Sequence, residues 1–203
     1  LMELWEKGVI DGKDTENWCG EPLSLNWGNA DAVEKIMSYV GYQKNEMGKI
    51  LKDGMAKAAN KIMEQKDRPV HQYLITGKGG GTVHEEIRCF PVWAVNFAVS
   101  SRGCDHLKGL NMLDKAFRKD ISVSWFGRPE AGHGYCPDLK GMAAAHAENY
   151  VAALNALGVC VFRTATNPQI VPLEVLSRAY FALTGIPVSP EELYHAGERI
   201  GNI

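Results

Sequence analysis

The chain has 203 residues, 45% of them hydrophobic, with 22 Lys plus Arg against 24 Asp plus Glu and a formal net charge of -2. That length and apolar content supply the core of one substantial domain or two small helical ones. The near-neutral charge gives no electrostatic footing for nucleic acid or an anionic membrane, which leaves small-molecule chemistry as the first expectation.

No apolar run of about 18 residues is long enough to span a bilayer, and no leader pattern opens the chain, so a cytoplasmic protein is expected. Five irregularly spaced cysteines, Cys19, Cys89, Cys104, Cys136 and Cys160, argue against a secreted disulfide framework. At least one is expected to be free or bound to metal.

Leu1, Leu4 and Trp5 set an apolar helical face with no capping residue before it, and Ile200 and Ile203 close the chain uncovered. The sequence therefore reads as a segment cut from something larger. After a Gly- and Asp-rich stretch from Gly8 to Gly20, Asn29 caps a predicted helix with Ala30, Val33, Ile36, Met37 and Val40 on one face, ended by Gly41. Asn45 opens a second, predicted to run through Met47, Ile50, Leu51, Met55, Ala58, Ala59 and Ile62. Gly48 and Gly54 weaken it by about 1 kcal/mol each.

Pro69 and the Gly77–Gly81 run break regularity and mark a boundary, with Tyr73 to Ile75 as a short strand before a flexible loop. Pro91 begins an apolar helix through Trp93, Ala94, Phe97 and Ala98. Trp125 to Pro137 reads as a long loop. Leu139 to Leu157 predicts a helix stopped by Gly158. Pro172 starts another, closed by Gly185 and Pro187, and Ser189-Pro190-Glu191-Glu192 has the form of a capping box. No set of alternating strands appears, so the expected fold is mainly α, with two packed helical subdomains at residues 1–75 and 76–203.

Several stretches together resemble the aldehyde ferredoxin oxidoreductase family. Met2 to Ile10 followed by Leu25 to Ala30 is similar to the segment after that family's first pterin-binding motif. Ser101-Arg102-Gly103-Cys104-Asp105-His106-Leu107-Lys108-Gly109 is similar to its Arg-Gly-x-x-His-Leu-(Arg/Lys) turn. Asn155-Ala156-Leu157-Gly158-Val159-Cys160 stands against the pattern Asp-x-x-Gly-Leu-Cys, in which the acid holds a pterin and the cysteine is the last ligand of a cluster. Thr184-Gly185 and Glu191 to Ile200 also look like the family's C-terminal region.

The resemblance implies helical domains 2 and 3 around a tungsten (or molybdenum) bis-pterin and a [4Fe-4S] cluster. It implies oxidation of an aldehyde to a carboxylic acid, with electrons passed to ferredoxin. His106 is then the proton-handling catalytic residue; Lys108, Asn155 and Val159 contact the pterin; Cys160 ligates the cluster. The other three ligands belong to a Cys-x-x-Cys-x-x-x-Cys motif absent here, so a missing N-terminal part of the same enzyme is expected as partner, and the segment alone is expected to be inactive and without cofactor.

Asn155 departs from the pattern because a neutral amide lacks the carboxylate that pairs with pterin N–H donors. Glu86 to Val92 replaces a Gly-rich Asp-Pro-Arg-Gly turn, which keeps open an aromatic acyl-CoA reductase subunit of the same family. Without the resemblance, His106 reads as a hydrogen-bonded structural residue and Cys160 as a small hydrophobe. A different class of reading is a non-redox helical interaction domain with zinc at Cys104, His106, His133 and Cys136, although the one-residue Cys104–His106 gap is poor for tetrahedral closure.

Overall fold

The computed structural model describes residues 1–78, 80–82, 87–103, 105–165 and 171–202. The chain forms two compact units, Leu1–Thr82 and Val83–Ile203. The described residues hold eleven α-helices and one two-stranded sheet, so the mainly α expectation is met.

In the first unit the helices are α1 (Met2–Glu6), α2 (Gly12–Cys19), α3 (Ala30–Tyr42), α4 (Glu46–Leu51) and α5 (Met55–Lys66). They enclose a core of Leu4, Ile10, Trp18, Leu25, Met47, Ile50 and Ile62. Helix α2 lies in the stretch read as irregular. Its signal is a capping box built from two aspartates: Asp11 accepts from the Lys13 and Asp14 amides while Asp14 accepts from the Asp11 amide. Lys66 then donates to both Asp14 oxygens at 2.7 and 2.8 Å, tying α5 to α2.

Asn29 and Asn45 cap α3 and α4 as expected, accepting from Ala32 and Gly48 at 3.1 Å each. Two helix ends differ. Helix α3 passes Gly41 and stops at Gln43, which takes the left-handed conformation. The single helix expected from Asn45 to Ile62 is two, because Gly54 at φ +89° starts α5 in a backbone region that other residues avoid. The predicted strand at Tyr73 to Ile75 is displaced along the chain. His71–Tyr73 is a 3₁₀ turn, and β1 (Thr76–Gly77) pairs antiparallel with β2 (Gly80–Gly81), Thr76 opposite Gly81, where a loop was expected.

The second unit contains α6 (Pro91–Val99), α7 (Lys119–Phe126), α8 (Lys140–Ala156), α9 (Val161–Thr164), α10 (Leu173–Thr184) and α11 (Pro190–Gly201). Helix α8 is its axis, packed on α6 and α11. Its residues enter two cores. Tyr150, Val151 and Leu154 pack with Trp93, Leu110, Leu176 and Leu193, while Ala143 and Ala144 pack with Val92, Leu113 and Ala131. A helix buried on two faces needs apolar residues most of the way round, which explains its Ala-rich sequence.

Helices α8 and α11 approach closely at Gly197, where a Cβ would fall 2.0 Å from the Asn149 carbonyl oxygen. The Ser189 capping box and the left-handed Gly185 stop are present as expected. Pro172 is the residue before α10 rather than its first. The long loop expected from Trp125 is shorter, since Trp125 and Phe126 are the last residues of α7 and Gly127 caps it.

Candidate cofactor site

Helix α6 carries Trp93 and Phe97 one turn apart, so their rings project from one face. His106, 8% exposed in the turn that follows α6, packs its ring against both. Its ring lies 4.3 Å from Trp93 at 15° and 5.9 Å from Phe97 at 7°. The turn itself is fixed from inside: Asp105 accepts from the Leu107 amide at 2.6 Å and pairs with Arg102. Gly109 closes the turn against α6, where a Cβ would stand 2.3 Å from the Asn96 side-chain amide. No larger residue fits there.

Beyond Gly109 the chain is pinned to the start of α6. Asp114 accepts from the Val92 amide at 2.7 Å, and the Trp93 indole donates to the Asn111 carbonyl at 2.7 Å. Lys140 lies 3.9 Å from Asp114 and donates to the Ala131 and His133 carbonyls at 2.8 Å each. Both charged groups are buried. Desolvation raises the Asp114 carboxyl above its ordinary value and lowers the Lys140 ammonium below its own.

Lys108 points outward and donates to Ser101 Oγ at 2.7 Å. It lines a cavity of about 260 Å³ together with Ser101, Glu148, Ala152 and Asn155. Two residues singled out on separate stretches of sequence thus meet at one cavity. His106, Val159 and Cys160 are not among its lining residues.

Asn155 sits at the end of α8 in a Schellman motif. The Gly158 amide donates to the Asn155 carbonyl at 3.1 Å and the Val159 amide to Leu154 at 3.0 Å, with Gly158 at φ +69°. Val159, half-buried, packs against the same apolar cluster as Leu154. Cys160 is exposed and immediately precedes α9, where its carbonyl accepts from the Arg163 amide and from Thr164 Oγ1. Tyr150 steadies that helix, its hydroxyl donating to Val171 at 2.7 Å and approaching the Thr164 carbonyl at 3.3 Å. Burial raises the Tyr150 phenol well above its ordinary value.

The zinc alternative gains no support. Cys104 lies outside the described residues, and His106, His133 and Cys136 do not come together as a group able to hold a metal ion. Glu86, the first residue of the stretch that departs from the family pattern, also lies outside the described residues, while Ile87–Cys89 forms a 3₁₀ turn. Sequence reasoning missed Glu148, although it stands seven residues before Asn155 and so on the same helix face, and it missed the Trp93 and Phe97 stack, whose one-turn spacing is visible in the sequence.

No helix of the described residues is long and apolar enough to cross a membrane. Compared with known proteins, residues 1–203 match the family model described as aldehyde ferredoxin oxidoreductase, domains 2 and 3. The chain is also similar to the aliphatic sulfonate oxidoreductase, WOR-like subunit, of Pyrococcus furiosus, with 28% identity over 126 residues. That match covers 61% of this chain and 19% of the relative's length. With the family model covering the whole chain and the mainly helical fold in agreement, the chain belongs to the aldehyde ferredoxin oxidoreductase family, in the region of its domains 2 and 3.

Proposed function

We propose that the chain forms one wall of the active site of a tungsten- or molybdenum-pterin, [4Fe-4S] oxidoreductase that oxidises an aldehyde to a carboxylic acid and passes the electrons to ferredoxin. The observation that carries this reading is the meeting of Lys108 and Asn155 on one cavity, with Cys160 five residues beyond Asn155. The polar groups suit such a cofactor: an ammonium, a hydroxyl, an amide and a carboxylate stand among apolar residues that include Ala152, Ala156 and Ile200. When bound, the metal pterin supplies the two-electron step and the cluster the relay of single electrons.

The chain's own residues have distinct tasks in this proposal. Lys108 meets an anionic arm of the pterin as a point charge, and Asn155 offers an amide to its ring. Val159 acts on the pterin indirectly, by fixing the helix end that carries Asn155. Cys160 offers one thiolate to the cluster at a helix start, and three further ligands come from an N-terminal part of the enzyme. His106 holds the proton exchanged with substrate, and its parallel packing on Trp93 and Phe97 fixes the plane of the ring that carries it.

A second substrate reading has a specific observation behind it. The relative matched over 126 residues is named an aliphatic sulfonate oxidoreductase, so in the second reading an aliphatic sulfonate takes the place of the aldehyde as the redox substrate of this chain's enzyme. Dye reduction by the anaerobically purified full-length protein separates the readings. Aldehyde-dependent reduction of a viologen supports the first, sulfonate-dependent reduction alone supports the second, and neither substrate reacting with cofactor-loaded protein overturns both. The 203-residue chain by itself should show no such activity.

A further inference from the structure

We propose that Glu148 is the carboxylate that fixes the ligand in the Lys108–Asn155 cavity, pairing with the amino and ring N–H edge of a flat heterocycle laid along α8 over Ala152. This rests on the pterin reading above and names the residue that replaces the carboxylate Asn155 does not supply.

Glu148, Ala152, Asn155 and Ala156 are spaced four, seven and eight residues along α8 and form one stripe on the cavity wall. Glu148 and Asn155 stand two turns apart, about 10 Å along the axis. Ala152 between them presents only a methyl group, so a planar ring rests on the helix without obstruction and is gripped at both ends. The cavity, at about 260 Å³, is at the small end for ligand sites, which suits a ring system with its remainder outside.

The charge arrangement indicates what kind of ring. Glu148 is half-buried, its Oε1 lies 3.4 Å from the Asn96 amide, and it forms no ion pair among the described residues. A carboxylate against apolar walls demands further donors, and two parallel N–H groups satisfy both its oxygens. Lys108 demands an anion. An amino-heterocycle with an anionic arm answers both, and Asn155 alone provides no charge-assisted partner for the amino edge.

The test compares wild type and Glu148→Gln in the full-length protein, reading pterin released by oxidation from its fluorescence and tungsten or molybdenum per polypeptide by mass spectrometry. Circular dichroism checks the fold. The substitution should lower pterin content at least about tenfold, the scale expected for losing one charge-assisted contact. Equal pterin content in both overturns the role of Glu148 and leaves the cofactor reading standing. A wild type devoid of pterin overturns the cofactor reading itself. Should Glu148→Gln fail to fold, Glu148→Asp and Glu148→Asn, equal in size, replace it: Asp should retain more pterin than Asn, and equal content overturns the proposal.

Discussion

The imidazole of His106 lies face to face on the indole of Trp93, ring centroids 4.3 Å apart and planes 15° from parallel. With Phe97 also packed parallel to it at 5.9 Å, the ring is part of the core as well as a candidate for proton transfer. His106→Ala should cost about 2–4 kcal/mol in denaturant unfolding through the gap left beside the two aromatics. His106→Phe, which keeps a flat ring there, should cost less than about 1.5 kcal/mol. In the full-length enzyme His106→Phe should slow turnover severely while preserving the fold. Unchanged turnover would remove His106 from the mechanism.

His146 has an analogous setting, against Trp125 at 4.3 Å and Tyr194 at 4.9 Å, and burial lowers its imidazole to about 4. The unfolded chain takes up this proton near pH 6.5. Between pH 6.5 and 4 the unfolded state therefore binds more protons, and stability must fall as the pH falls through that window. The loss should reach at most about 3 kcal/mol, and His146→Phe should flatten it. Unfolding midpoints at pH 7 and pH 4.5 check both statements.

How much of this was visible beforehand depends on the range of the cause. Caps made by one residue and its near neighbours were legible: Asn29, Asn45, the Ser189 box and the Gly158 stop all stand where local chemistry put them. The Asp11–Asp14 box is equally local, but the glycines around it read as helix breakers. The break at Gly54 was visible as weakness but not as a left-handed turn. Contacts between segments that only the fold brings together were not legible, Asp114 on Val92 and Lys140 on Ala131 among them, because nothing in the neighbouring sequence announces either partner. At the site, Lys108 and Asn155 came from family resemblance, whereas Glu148 required knowing which face of α8 the cavity borders.

The Lys140 contacts make a quantitative prediction. Lys140→Met removes two carbonyl bonds and leaves Asp114 buried without its cation, so it should cost about 3 kcal/mol at pH 7. Asp114 already titrates above its ordinary value, and losing Lys140 raises it further. From that raised value down to about pH 4 the folded variant binds more protons than its unfolded chain. Its stability deficit against wild type should therefore narrow as the pH is lowered across that range. Urea unfolding across that range shows whether it does.

Gly197→Ala places a methyl group 2.0 Å from the Asn149 carbonyl oxygen, which belongs to the backbone of α8 and has little room to yield. The helices must separate, at a cost of about 1–3 kcal/mol. Thermal unfolding should show a lowered midpoint, and Gly201→Ala, where a Cβ meets only the Asn149 side chain at 3.7 Å, should be close to neutral.

Metal content of the anaerobically purified full-length protein, wild type against Cys160→Ala, bears most directly on the proposed cofactor chemistry. The wild type should carry tungsten or molybdenum and about four irons per polypeptide, and Cys160→Ala should lose iron. Zinc in place of these metals, or iron content unaffected by the substitution, would contradict the cofactor and ligand assignments made for this chain.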